Sequence, residues 1–328
     1  MRVLVTGGAG FIGSHFVKRL AARGDEVVVL DKLTYAGNPA NLEGVRQTFV
    51  QGDICDGGEV AEAAEGCDAI VNFAAETHVD RSILGAADFG RTEFTGTQVL
   101  LEEVRRTGAR FVQVSTDEVY GDLEKGGSAS EDDPVRPSSP YSVAKAAGDL
   151  WIPAYVRTYG VNASITRGSN TYGSFQYPEK LIPLFVTNAL DGEPLPVYGD
   201  GRQTRDWLHV RDHCTGIEVV MRAGSPGEVY NVGGGHEVEN LEVTRRILEL
   251  TGADPGLVRH VTDRPGHDRR YSLDSSKLRA LGWKPERSFE DGLAETVEWY
   301  RSRRDWWEPI KSGEYLAYYR RQYGDRLA

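Results

Sequence analysis

The chain opens on Arg2-Val3-Leu4-Val5-Thr6 and runs directly into Gly7-Gly8-Ala9-Gly10-Phe11-Ile12-Gly13, ahead of a helical pattern over Gly10–Arg23. A glycine-rich turn joining a buried strand to a helix restricts the fold more than any other feature. Gly7, Gly10 and Gly13 permit a tight turn and a close backbone approach, while the helix start offers free N–H groups and partial positive charge. That combination suits a pyrophosphate. The next apolar run, Glu26–Leu30, ends in Asp31. A carboxylate there can bond the adenosine ribose hydroxyls and repel a 2′-phosphate, which favours NAD over NADP. The adjacent Lys32 works against that discrimination.

Strand and helix patterns alternate through the first half. Apolar runs at Asp68–Phe73, Arg110–Ser115 and Asn162–Arg167 read as strands, and stretches around Gly58–Ala64, Thr92–Thr107 and Ser139–Tyr159 as helices. Strands that are apolar throughout belong in a parallel sheet covered on both faces. The expected fold class is α/β: a Rossmann-like, doubly wound parallel sheet with a smaller C-terminal lobe. From Arg167 to Gly201, Gly, Pro and aromatic residues become frequent, which predicts loop-rich, ligand-facing structure rather than another βα unit. Gly227–Val232 returns to a strand pattern. Helices are expected at Asn240–Thr251, Ser275–Leu281 and Ser288–Arg304. Residues 1–167 are read as the dinucleotide-binding domain, with a return of the chain near 207–235. Residues 168–206 and 236–328 are read as the substrate lobe.

The 328 residues carry a formal net charge of −11, a poor match to nucleic acid or an anionic membrane. An anionic ligand would need local Arg and Lys. Cys55, Cys67 and Cys214 match no zinc spacing, and an odd number argues against a disulfide framework. No metal site is expected. The first strand begins at the N-terminus, so no signal peptide is expected. No apolar run approaches the ~20 residues of a membrane span. The expected location is cytoplasmic.

Chemistry concentrates at Ser115-Thr116-Asp117-Glu118-Val119-Tyr120-Gly121, where two adjacent carboxylates follow a strand. Open α/β sheets bind ligands at such strand ends. Downstream, Tyr141 and Lys145 stand four apart on one helix face. A free tyrosine is a poor base near neutrality, with a pKa near ~10. A neighbouring ammonium and the positive nicotinamide of NAD⁺ both stabilise its phenolate. Tyr141 can then take a hydroxyl proton while hydride leaves the same carbon.

The glycine turn with Tyr141 and Lys145 resembles the extended short-chain dehydrogenase/reductase superfamily. Thr116-Asp117-Glu118 resembles the dTDP-glucose 4,6-dehydratases within it. So do the stretches 73–82, 178–183, 205–207 and 263–268, and the similarity runs from Met1 to about Trp307. The resemblance implies a hydro-lyase of deoxysugar biosynthesis that binds NAD and acts on dTDP-glucose, with Thr116, Asp117, Glu118, Tyr141 and Lys145 as its catalytic set. It implies cofactor contacts from Gly7, Gly10, Phe11, Ile12, Gly13, Asp31, Lys32, Leu33, Thr34, Asp53, Ile54, Ala74, Ala75, Thr92, Tyr141 and Lys145. On its own chemistry, Asp53 reads equally well as a turn cap or as an adenine contact. For the nucleotide sugar the resemblance implies His78, Thr116, Asn170, Lys180, Leu181, Asn240 and His267, with Arg205 and Arg264 on the diphosphate. Pro196 and Tyr198 would wall the base.

The chain departs from the pattern at Glu93 and Thr171, where relatives commonly carry Asn. Pro153 interrupts the helix from Ser139 and predicts a local kink. A homodimer packed through this helix is expected, and Leu150, Trp151 and Ile152 suit that role or an intrachain contact. The competing readings are a related nucleotide-sugar enzyme, such as a 4-epimerase or a dehydratase for another nucleotide, and a catalytically silent NAD-binding regulator.

Overall fold

Val3–Val5, Val27–Leu30 and Ala69–Val71 are almost wholly shielded from water. Strands buried on both faces pair in parallel and need helices above and below. The computed structural model describes residues 1–124 and 126–327 and has this arrangement. Six strands come first: β1 (Arg2–Thr6), β2 (Glu26–Asp31), β3 (Thr48–Gln51), β4 (Ala69–Asn72), β5 (Arg110–Thr116) and β6 (Ala163–Gly168). Next come β7 (Asn170–Tyr172), β8 (Leu195–Tyr198) and β9 (Thr204–His209), then β10 (Val229–Val232), β11 (Glu237–Glu239) and β12 (Val258–Val261). A seven-stranded sheet has the order β10-β6-β5-β4-β1-β2-β3, with every pair parallel. This is a Rossmann-like α/β fold. Strand order, not strand direction, reverses between β1 and β4, and that switch point opens a crevice at the carboxyl ends of the strands.

Helices Phe11–Ala22 and Val210–Ala223 cover one face through Phe16, Leu20, Ile217 and Met221. Helices Gly57–Ala63, Thr97–Thr107 and Pro140–Tyr159 cover the other through Val60, Leu100 and Ile152. Outside the sheet, β7 and β11 flank β9, and β8 pairs with β12. A separate aromatic core of Tyr172, Trp207, Phe289, Tyr300, Trp306 and Trp307 holds this smaller part.

The structure differs from the sequence reading in several elements. The stretch expected to be loop-rich contains a helix, Leu181–Asp191. Pro183 lies in its first turn, where a missing N–H costs nothing. The helix expected over 92–107 begins as a wider π-helical turn, Arg91–Gly96, before Thr97–Thr107. Ile152 faces the interior, whereas Leu150 on the same helix is 68% exposed. Pro153 lies inside that helix without ending it. A C-terminal helix, Glu314–Leu327, adds an element that sequence pattern did not signal.

Candidate active site

The glycine turn is fixed by lack of space. Gly7 has φ +64°, and a Cβ there would stand 2.6 Å from the amide nitrogen of Ala74, just past β4. A Cβ on Gly13 would strike the Gly7 carbonyl. The helix that follows has no side-chain cap and no acid in its first turn. Its N–H groups at Phe11 and Ile12 therefore remain available to an anion. Asp31 ties the turn to the loop after β2: its Oδ2 accepts from Ala9 N (2.9 Å) and its Oδ1 from Leu33 N (2.8 Å). Leu33, next to Thr34, takes φ +57° to make that bond. Such a carboxylate keeps further acceptor capacity for hydroxyl donors.

Asp53, beyond β3, accepts from Cys55 N (2.9 Å) and pairs with Lys32 (3.0 Å) and Arg91 (3.2 Å). It is a turn cap holding two cations. Ile54 is buried against Gly96 of the π-helical turn. Ala74 and Ala75 follow β4, and Thr92 lies partly exposed in the π-helical turn. The glycine turn, Asp31 and Ala74 thus gather at the carboxyl edge of β1, β2 and β4. A dinucleotide fits these donors and this steric cradle.

Across the switch point, β5 ends at Thr116, whose hydroxyl caps a short 3₁₀ turn, Asp117–Tyr120, by accepting from Glu118 N (3.3 Å). The turn sets Asp117 inside and leaves Glu118 half-buried on the cleft wall. Burial, then the charges of Glu118 and Asp206, push the Asp117 carboxyl well above its ordinary range. Burial also raises Glu118, but Arg264, Lys180 and Arg205 oppose the rise. The two acids differ in environment as a proton donor and a proton acceptor must.

Ser139 and Ser142 form a capping box with Pro140 behind Ser139, fixing where the Tyr141 helix begins. Lys145 Nζ donates to the Val114 carbonyl (2.8 Å) and stands 3.1 Å from Glu93 Oε1. Burial, Glu118 and Glu93 push the Tyr141 phenol well up, while Thr116 bonds against that rise. The expected depression by Lys145 is therefore outweighed in the protein alone, first by burial and then by the carboxyls of Glu118, Glu93 and Asp117 that face the phenol.

Beyond Glu118 a cleft runs into the smaller lobe. His78, Asn170, Lys180, Leu181, Pro196, Tyr198, Arg205, Asn240, Arg264 and His267 all line it. Thr116 does not line it and lies beside Tyr141. Arg205 donates to the Asp268 carbonyl (2.9 Å) and stacks over Tyr271 at 4.3 Å. His267 meets Asp263 (2.6 Å) and sets its ring edge on Tyr198. Burial first, then Arg264, lowers its pKa to about 4. His78 takes φ +100°. Its Nε2 faces the Glu179 carbonyl and its Nδ1 the Tyr318 hydroxyl, both at 3.2 Å. A carbonyl only accepts, so Nε2 carries the proton.

Asp80 is a site residue that sequence reasoning missed. Its Oδ1 pairs with Arg264 (3.0 Å), and its Oδ2 accepts from Tyr198 (2.9 Å) and Gln322 (3.1 Å). Gln322 also donates to Tyr198 (2.6 Å), and Tyr323 lines the cleft, so the C-terminal helix closes that end of it. The signal available was Asp80 within the stretch 73–82. Gln322 and Tyr323 gave none.

Comparison with known proteins decides the family. A family model described as GDP-mannose 4,6 dehydratase matches residues 4–296. The dTDP-glucose 4,6-dehydratase of Streptomyces niveus is 56% identical over 324 residues, covering 95% of this chain and 96% of that protein. The chain belongs to the dTDP-glucose 4,6-dehydratases. A solved member of the family, DesIV from Streptomyces venezuelae with NAD and dTDP bound, superposes with a TM-score of 0.93 at 56% identity. It covers 95% of this chain, which covers all of it. The UDP-glucose 4-epimerase of Thermus thermophilus, in complex with NAD, also shares the fold, with a TM-score of 0.87 at 34% identity and 92% coverage of this chain and 100% of that one. The fold is therefore common to enzymes with other outcomes.

Proposed function

We propose that this chain converts dTDP-glucose to dTDP-4-keto-6-deoxyglucose with a bound NAD. The observation that carries the reading is the acid pair on the turn after β5. Burial and neighbouring carboxyls push Asp117 well above its ordinary range, whereas at Glu118 burial raises the carboxyl and three cations oppose the rise. The chemistry that NAD supplies when bound is removal of hydride at C4 and its return at C6, so net redox is zero and the cofactor is not consumed. Tyr141 takes the proton of the glucose 4-hydroxyl, and Thr116 bonds the 4-oxygen. The C4 ketone acidifies C5–H, and Glu118 removes that proton. Asp117 gives its proton to the departing 6-hydroxyl, which leaves as water, and the proton held by Glu118 returns to C5 as C6 is reduced. Arg205, Arg264 and Lys180 hold the diphosphate, because guanidinium forks match phosphate oxygens. The base rests between Pro196 and Tyr198.

Residues 1–167 with 207–235 act as the cofactor domain, and 168–206 with 236–328 as the nucleotide-sugar lobe. The working form is a homodimer. Val143, Leu150 and Phe94 expose half or more of their surface on adjoining helices, and an apolar surface of this kind marks an interface. No helix among the described residues is long and apolar enough to cross a membrane, and we place the enzyme in the cytoplasm. It has no nucleic-acid partner, in keeping with its net charge of −11.

The test is incubation of purified protein with dTDP-glucose and no added NAD, followed by mass spectrometry. Loss of one water at a steady rate supports both the reaction and the recycled cofactor. Unchanged mass with inversion at C4 would replace the reading with epimerisation. Absence of any product would leave a binding protein.

A further inference from the structure

Glu93 is 1% exposed, and a carboxylate that deep needs a partner. Its Oε1 lies 3.1 Å from Lys145 Nζ. Burial raises the Glu93 carboxyl above its ordinary range, and the Lys145 ammonium beside it opposes that rise; Lys145 also donates to the Val114 carbonyl at 2.8 Å. Gln113 on β5 reaches Oε2 only at 3.5 Å. The π-helical turn Arg91–Gly96 carries Glu93, and Gly148 on the Tyr141 helix leaves room for it. A Cβ at Gly148 would come within 3.1 Å of the Glu93 carbonyl and 3.3 Å of its Oε2. A glycine opposite a carboxylate, one helical turn past Lys145, makes a slot for this side chain.

We propose that Glu93 is a positioning residue that acts through Lys145: its carboxylate balances the ammonium and thereby sets the pH at which Tyr141 becomes a base. The inference rests on Tyr141 being the base of the proposed reaction. Unopposed, an ammonium near a phenol stabilises the phenolate. A carboxylate beside that ammonium cancels part of the pull. Tyr141 is raised by burial, Glu118 and Glu93 together. The other charged groups facing Glu93 are Asp149, itself paired with Arg167 (3.0 Å), and the partly buried Glu76. Asp88 is exposed on the preceding turn, and Asp117 and Glu118 face the phenol. All of these keep their places when Glu93 alone is changed.

The experiment is the pH profile of reduced-nicotinamide formation in a single turnover of the holoenzyme with dTDP-glucose. Glu93→Gln keeps the shape and removes the charge. The acid limb should move to lower pH by on the order of one unit. Glu93→Asp retains the charge and should leave the limb at the parent position. Glu93→Asn is a second neutral variant that reads the same way should Glu93→Gln fail to fold. A limb unmoved or moved upward in the neutral variants, with oxidation intact, overturns the inference and leaves the reaction standing. Loss of the signal in the parent enzyme would instead overturn the reaction itself.

Discussion

At the residue scale the site turns on which acids hold protons. Tyr141→Phe removes the phenol beside Thr116 and should abolish appearance of reduced nicotinamide on rapid mixing with dTDP-glucose. Asp117→Asn with Glu118→Gln should retain a first burst of oxidation and lose release of water; ordinary turnover by either would refute the assigned roles. Asp117 also carries a stability consequence. Its folded pKa is raised, so the native protein keeps a proton that the unfolded chain gives up near pH ~3.9. Stability from this group is whole below that pH and is lost as pH rises toward the folded value. Asp117→Asn should therefore melt higher than the parent at pH 7, with the difference shrinking toward pH 4. Thermal melts across that range check it, and a gap independent of pH would contradict it. The acid pair, Tyr141 and Lys145 were legible because motif spacing records them. Asp80 was not, since its value comes from Arg264 and Tyr198, more than a hundred residues away.

At the element scale, local rules decide most of what is seen. The glycine turn is legible from spacing alone, and its tolerance to change is not uniform. A Cβ on Gly13 would strike the Gly7 carbonyl, whereas one on Gly10 finds that oxygen at 3.2 Å. Gly13→Ala should cost roughly 1–3 kcal/mol in overpacking and lose NAD during purification, while Gly10→Ala should do less of both. Nucleotide released by acid from the purified variants, with their melting temperatures, makes the comparison. Equal retention of NAD would show that the turn has slack. The Leu181–Asp191 helix escaped sequence reading because Pro183 and the flanking glycines resemble loop punctuation. The wide turn at Arg91–Gly96 escaped because apolar periodicity does not separate π from α winding over six residues.

At the scale of the whole molecule, two lobes meet along the carboxyl edge of one sheet. The sheet places the glycine turn and the acid turn on opposite sides of the switch point, and Lys180, Arg205 and Arg264 bring positive charge to the cleft of a net-acidic chain. The exposed apolar surface of Phe94, Val143 and Leu150 is expected to pair two copies. Light scattering should give twice the 36.2 kDa chain mass, and Leu150→Arg, at a site 68% exposed in the single chain, should give the monomer mass with the fold intact. A monomeric parent would remove the dimer from the proposal.

Sequence by itself determined the parallel sheet and the dinucleotide turn, because continuous apolar strands and glycine spacing are local records of strong constraints, and it supplied the acids and the Tyr-Lys pair on which the proposed reaction rests. Tertiary structure alone decided the charge on those groups. Whether Asp117 holds its proton, what Lys145 balances and how Arg264 is held depend on burial and on partners from distant parts of the chain. Electrostatic energy follows distance and dielectric, and neither is written in the order of residues.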